Sequence, residues 1–226
     1  MIRHGCDVSD DQGMIAWWAA AGYVDFTYIQ IGYGTPSGPV VTSFGAANVR
    51  GAHDQGLAVG AYFFALPLPG AAAKQGEVFG RLVAELGDLP TLPAAVDVET
   101  NPAAMPPRDL TQWVRDFLAA TRLDARRLAV YTDPGFWEAN TDGTPINAHL
   151  WVAAWGAPAP PRLKGLPAAF MWQTTARGRV PGITGPVDLD TLIFVPDTEA
   201  DPHDQRPPAN WQDLPGGEVL RPPGQA

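Results

Sequence analysis

The sequence predicts an α/β fold of a particular kind: a modified TIM-like barrel with five strand–helix units followed by three strands lacking outer helices. Three observations predict it. Short apolar, strand-like runs alternate with segments of helical period over the first two-thirds of the chain, the signature of a parallel sheet. The rhythm then changes, and the last three strand-like runs are separated by Pro/Gly loops with no helical period. A length of 226 residues with 46% hydrophobic content suits one closed barrel and its core.

The elements follow in order. Residues 2–7, 26–31, 57–64, 94–98 and 128–131 read as strands. Between them, residues 14–21, 44–55 and 133–139 supply short helices. Phe79, Leu82, Val83 and Leu86 recur at i, i+3, i+4 and i+7, and Leu110, Trp113, Val114, Phe117 and Leu118 share one helical face. Pro106-Pro107 followed by Asp109 marks the start of that second helix. Residues 150–154, 168–173 and 187–195 are the three bare strands. The barrel domain is expected to occupy residues 1–196, and residues 197–226, rich in Pro, Asp and Gln, to form a tail or linker. No internal repeat of 20–50 residues is present, so no repeat architecture is expected.

Composition excludes several classes of partner. The net charge is −9, from 24 acidic and 15 basic residues, with no basic stripe, so nucleic acid is not an expected partner. No apolar run approaches the ~20 residues that cross a bilayer, and no signal-peptide pattern opens the chain. The expectation is a soluble monomer. Cys6 is the only cysteine, so no internal disulfide or thiolate cluster forms, and it reads as a small core residue on the first strand. His4, His53, His149 and His203 are scattered and none forms a pair at metal-ligand spacing, which argues against a metal-dependent amidase or deacetylase.

The chemistry is read from the carboxylates. Asp97 and Glu99 end the fourth strand one residue apart, so they share a face with Cα atoms ~6.5–7 Å apart. Alone, such a pair could be a capping accident. In an α/β barrel, however, chemistry sits at the strand ends, and Asp7 ends the first strand while Asp188 lies on the last. Tyr62, Phe64, Tyr131, Trp151, Trp155 and Trp172 fall near the same ends, where aromatic faces can stack on sugar rings. Paired carboxylates flanking a bond are the working parts of most glycoside hydrolases.

At these residues a resemblance becomes specific. The stretch Gly5-Cys6-Asp7-Val8-Ser9-Asp10-Asp11-Gln12-Gly13 resembles the opening motif of glycoside hydrolase family 25, the Chalaropsis-type lysozymes. Val59-Gly60-Ala61-Tyr62-Phe63-Phe64 is similar to that family's Gly-x-Tyr-His-Phe strand, and Ala95-Val96-Asp97-Val98-Glu99 to its Asp-x-Glu strand. Tyr131-Thr132, Leu150-Trp151-Val152-Ala153, Trp172-Gln173 and Val187-Asp188-Leu189 follow in the family's order. Phe63 departs from the usual histidine, Thr174 from a frequent tyrosine, and Gln30-Ile31-Gly32-Tyr33-Gly34 lacks the common lysine and acidic-glycine pattern. These departures bear on the groove more than on the acids.

The resemblance implies N-acetylmuramidase activity on bacterial peptidoglycan without a cofactor. Glu99 is then the expected general acid/base. Asp97 is expected to stay ionised and orient the substrate's 2-acetamido group, with a carboxylate nucleophile, Asp188 or Asp97, as the competing route. Asp7 and Asp188 belong to the site either directly or as floor residues that hold the pair. Gln12, Ser9 and Gln173 contact sugar or support those that do. The alternative class is a glycan-binding or virion structural barrel with little turnover. Synthesis in a host cytoplasm followed by release, as for a bacteriophage endolysin, or carriage on a virion is the expected setting.

Overall fold

The computed structural model describes residues 3–195. Nine strands and five α-helices follow in the order β1 (Arg3–Val8), α1 (Trp17–Ala20), β2 (Phe26–Thr35), β3 (Gly38–Val41), α2 (Gly45–Asp54), β4 (Ala58–Phe64), α3 (Ala72–Glu85), β5 (Ala94–Asp97), α4 (Pro107–Ala120), β6 (Leu128–Thr132), α5 (Pro134–Asn140), β7 (His149–Ala153), β8 (Ala169–Gly178) and β9 (Val187–Leu192). The sheet runs β1-β9-β8-β7-β6-β5-β4-β2-β3, and an added β1–β2 pairing closes eight of these strands into a barrel. The helices follow the first five barrel strands and the last three strands are bare, as predicted. Residues 197–226, the expected tail, and His203 with them, lie outside the described residues.

Three features differ from the sequence reading. The first is a ninth strand, β3, which pairs with Gly32–Thr35 of β2 through a two-residue turn at Pro36-Ser37. Gly32 and Tyr33 also pair with Phe63 and Phe64 on β4, so β3 takes the edge of β2 that β1 leaves after Ile29. The second is α1, which shrinks to Trp17–Ala20. The amides before it are used elsewhere: Ile15 N donates to Asn48 Oδ1 at 3.2 Å and Ala16 N to the Gly182 carbonyl at 3.0 Å. The third decides the site. β9 runs antiparallel to both β8 and β1, whereas the other neighbouring barrel strands pair in parallel. The link from Gly178 to Val187 carries no helix and is too short for the dozen or more residues that a parallel crossover needs.

Strand alternation sorts the side chains into two layers. Outward-facing Ile29, Val59, Phe63, Val96, Val130 and Val152 pack under the helices. Inward-facing Phe26, Tyr28, Ala95, Ala129, Trp151 and Phe170 fill the barrel. Phe79 of α3 and Phe117 of α4 lie 5.6 and 5.7 Å from Phe63, ring centre to ring centre. Burying each such phenylalanine contributes about 1.5–3 kcal/mol relative to leaving it exposed.

Helices α3 and α4 touch closely because glycines face α4. A Cβ on Gly80 would collide with the Thr121 carbonyl, and one on Gly76 with that of Phe117. In an exposed helix Gly→Ala gains up to about 1 kcal/mol. Here Gly80→Ala should instead destabilise by about 1–3 kcal/mol, as overpacking does, and chemical denaturation of the variant will show the sign.

Candidate active site

Strand direction brings the acids together. Asp7, near the end of β1, stands in register with Asp188, which is near the beginning of β9. A parallel β9 would have put Asp188 at the opposite end of the barrel. Its reversal delivers the side chain to the mouth. Asp97 ends β5, between Phe64 of β4 and Tyr131 of β6 in register. The chain is then held beyond the strand end: Val98 N donates to the Tyr131 carbonyl at 2.9 Å, and Thr132 Oγ1 donates to the Val98 carbonyl at 2.8 Å. That anchoring carries the alternation one step further and places Glu99 on the same side as Asp97, but exposed.

Under the acids lies an aromatic floor. Trp151 is 1% exposed, with Tyr131, Tyr28 and Tyr62 around it at 4.6, 4.7 and 6.1 Å between ring centres. Gln173 of β8 ties the wall together. Its Nε2 donates to Asp7 Oδ2 at 2.8 Å, and its Oε1 accepts from Tyr131 Oη at 3.0 Å and from Trp155 Nε1 at 2.9 Å. Trp155 itself is 61% exposed, so its indole is fixed at one edge while the ring remains open to solvent. Phe64 is half-buried beside Asp97.

Two predicted contacts are not delivered to this mouth. Trp172 lies between Met171 and Gln173, which face inward, so alternation turns it out onto the outer layer, where Nε1 donates to the Ala154 carbonyl at 2.9 Å. Gln12 closes its own turn: its Oε1 accepts from Ser9 N at 2.8 Å and Ser9 Oγ at 3.2 Å, and Nε2 donates to the Pro186 carbonyl at 3.5 Å. It braces the β1 exit against the segment leading into β9.

Sequence reasoning missed Asp190. It is 2% exposed and accepts from Trp151 Nε1 at 2.9 Å. The signal was available: Asp188 and Asp190 repeat the one-residue spacing of Asp97 and Glu99. Asp133 caps α5 by accepting from Phe136 N at 2.9 Å, and its charge also bears on Glu99.

Burial raises Asp7, Asp97, Glu99, Asp188 and Asp190, and repulsion from neighbouring carboxylates adds to it for all of them but Asp188. Burial, then the Asp188 charge, pushes Asp7 up to about 7, against the opposing hydrogen bonds from Gln173 and Asp190. Asp97 rises well above the ordinary range through burial and then the charges of Glu99, Asp7 and Asp188. Its Oδ1 is buried with no hydrogen-bond partner among the described residues. The resting site thus favours a proton on Asp97, contrary to the expectation that it stays ionised. Glu99 is raised by partial burial, then by Asp133 and Asp188, and Asp188 by burial. No group of three or more His, Cys, Asp or Glu among the described residues is arranged to hold a metal ion.

Comparison with known proteins names the family. The sequence profile of glycosyl hydrolases family 25 matches residues 6–183, most of the chain. The chain belongs to glycosyl hydrolases family 25. The family 25 match includes Asp7, Asp97 and Glu99 and ends before Asp188. Lysozyme M1 of Streptomyces globisporus is 33% identical over 196 residues, an alignment covering 81% of this chain and 65% of that protein. The family 25 chain therefore spans about two-thirds of that relative's length. The bacterial lysozyme of Streptomyces coelicolor superposes with a TM-score of 0.72 at 30% identity, over 85% of this chain and 92% of that one. The spore cortex lytic enzyme SleM of Clostridium perfringens shares the fold at a TM-score of 0.75 and 23% identity, over 84% of this chain and 67% of that one.

Proposed function

We propose that this family 25 chain is an N-acetylmuramidase, which hydrolyses the β-1,4 bond from N-acetylmuramic acid to N-acetylglucosamine in peptidoglycan. The observation that carries the reading is the Asp97–Glu99 pair, two same-face carboxyls at the barrel mouth, one buried with an unpaired oxygen and one exposed.

The two environments assign two roles. Glu99 is reachable from solvent and keeps its proton to higher pH than an ordinary carboxyl, which suits it to protonate the leaving glycosidic oxygen. Asp97 sits deeper, and its Oδ1 lacks a donor. An acetamide N–H from the bound sugar supplies that donor and draws the Asp97 pKa down. When Glu99 holds the proton, one of the charges that raises Asp97 is gone, so the pair shares a single proton. Ionised Asp97 then holds the acetamide while its carbonyl oxygen attacks the anomeric carbon, the glycosidic bond breaks, and Glu99 gives its proton to the departing oxygen. Water deprotonated by the resulting Glu99 carboxylate opens the cyclic intermediate and restores the acid. Phe64 and the open ring of Trp155 offer faces for the sugars, above the floor that holds Tyr62. The substrate is met at the bacterial wall, outside the compartment of synthesis.

Identifying the new reducing ends after digestion of purified walls tests this. N-acetylmuramic acid is expected there. N-acetylglucosamine would make the enzyme a glucosaminidase, and bound but uncut glycan would favour the binding-protein alternative.

A further inference from the structure

Asp190 has no role in the steps above, yet it is the least exposed acid of the site. On β9 it stands opposite Gly5 of β1 and Gln173 of β8, one inward position deeper than Asp188. Its ionisable neighbours are Asp7 and Cys6 from β1, Tyr28 from β2, Tyr131 from β6 and Asp188 from its own strand, and none is cationic. Trp151 Nε1 donates to Oδ1 at 2.9 Å, while Oδ2 is buried with no partner that could donate to it. A buried carboxylate with one donor and no counter-charge is among the costliest groups in a fold. The Asp7 carboxyl lies diagonal to it on the inner face of β1 and β9, and each bears on the other's titration. Two neighbouring carboxyls can hydrogen-bond to each other only if one carries a hydrogen.

We propose that Asp190 is a positioning residue that works protonated: it accepts the Trp151 indole N–H and offers its own proton to Asp7, which makes Asp7 the more readily ionised of the two and a fixed floor beneath Asp97 and Glu99. Asp7 is the partner better equipped to carry the charge, since Gln173 already donates to it. The directions of titration agree: burial and then the Asp7 charge raise Asp190, whereas a proton on Asp190 turned to Asp7 lowers Asp7. A proton held in the fold and released on unfolding makes stability fall as pH rises above the ordinary aspartate range toward the folded-state value.

The positioning of Asp7 for catalysis rests on the muramidase reading, whereas the proton does not, so the test reads both. Asparagine imitates protonated aspartate, with an oxygen for Trp151 and an N–H for Asp7. In D190N, wall lysis should stay within about threefold of wild type, while the fold takes up roughly one proton fewer between pH 5 and pH 8, read from the pH dependence of unfolding. D190A removes the donor to Asp7 and should lower kcat/KM roughly tenfold or more, with the acid limb of the pH profile moved to higher pH. An unchanged proton count in D190N, or D190N as damaged in lysis as D190A, overturns the proposal. A reduced proton count in a protein that cuts no wall, wild type included, leaves the proton assignment standing and removes the muramidase reading.

Discussion

Glu99→Gln is expected to slow wall lysis by about 10²–10⁴-fold, the range of a lost general acid, while leaving the melting temperature unchanged or slightly raised. Glutamine matches the shape of glutamate but has no proton to give. The side chain is exposed, so no core packing is lost. Its folded-state pKa is raised, so at neutral pH the ionised carboxylate opposes folding, pressed by partial burial and by Asp133 and Asp188. Removing the charge relieves that opposition. Turbidity clearing measured beside a thermal melt checks both halves. Lysis by E99Q at the wild-type rate would remove Glu99 from the reaction.

Asp97→Asn separates stability from activity more sharply. Asp97 is raised in the fold chiefly by burial and then by Glu99. A group of this sign favours the folded state fully below the ordinary aspartate pKa and loses that contribution as pH climbs toward the folded value. Asparagine is neutral throughout, so D97N should match wild type near pH 3 and melt at higher temperature at neutral pH. Activity goes the other way. Without an ionised carboxylate to hold the acetamide and offset positive charge at the anomeric carbon, kcat should fall roughly 10²-fold or more. The loss should appear in kcat more than in KM, because the charge is needed in the transition state. A D97N protein that is less stable at neutral pH contradicts the assignment of a strained, donor-poor carboxyl.

How much of this was legible in the sequence depends on the range of the interaction that decides it. Asp97 and Glu99 share a face because strand alternation is a property of the backbone, and the helices at Ala72–Glu85 and Pro107–Ala120 follow from apolar residues recurring on one face. Those are local rules, readable over a few residues. Gln173 was read as a site residue without any means of seeing its three partners, which come from β1, β6 and the segment after β7. Trp172, its neighbour, was assigned to the mouth because nearness along the chain does not say which face a strand residue takes.

Local pattern and motif were therefore enough for the barrel, its five helical units, the family resemblance and the candidacy of all four acids, Asp7, Asp97, Glu99 and Asp188. The tertiary structure decided the rest. Alternation has no sign, so it cannot tell a strand that runs up from one that runs down. Only the short, helix-free link into β9 and its pairing with β1 settle that Asp188 reaches the mouth and that Asp190 lies beneath it. Which acid keeps a proton was likewise not written in the residue types. It follows from how deeply each carboxyl is buried and which N–H groups face it, and those are set by strands brought together from opposite ends of the chain.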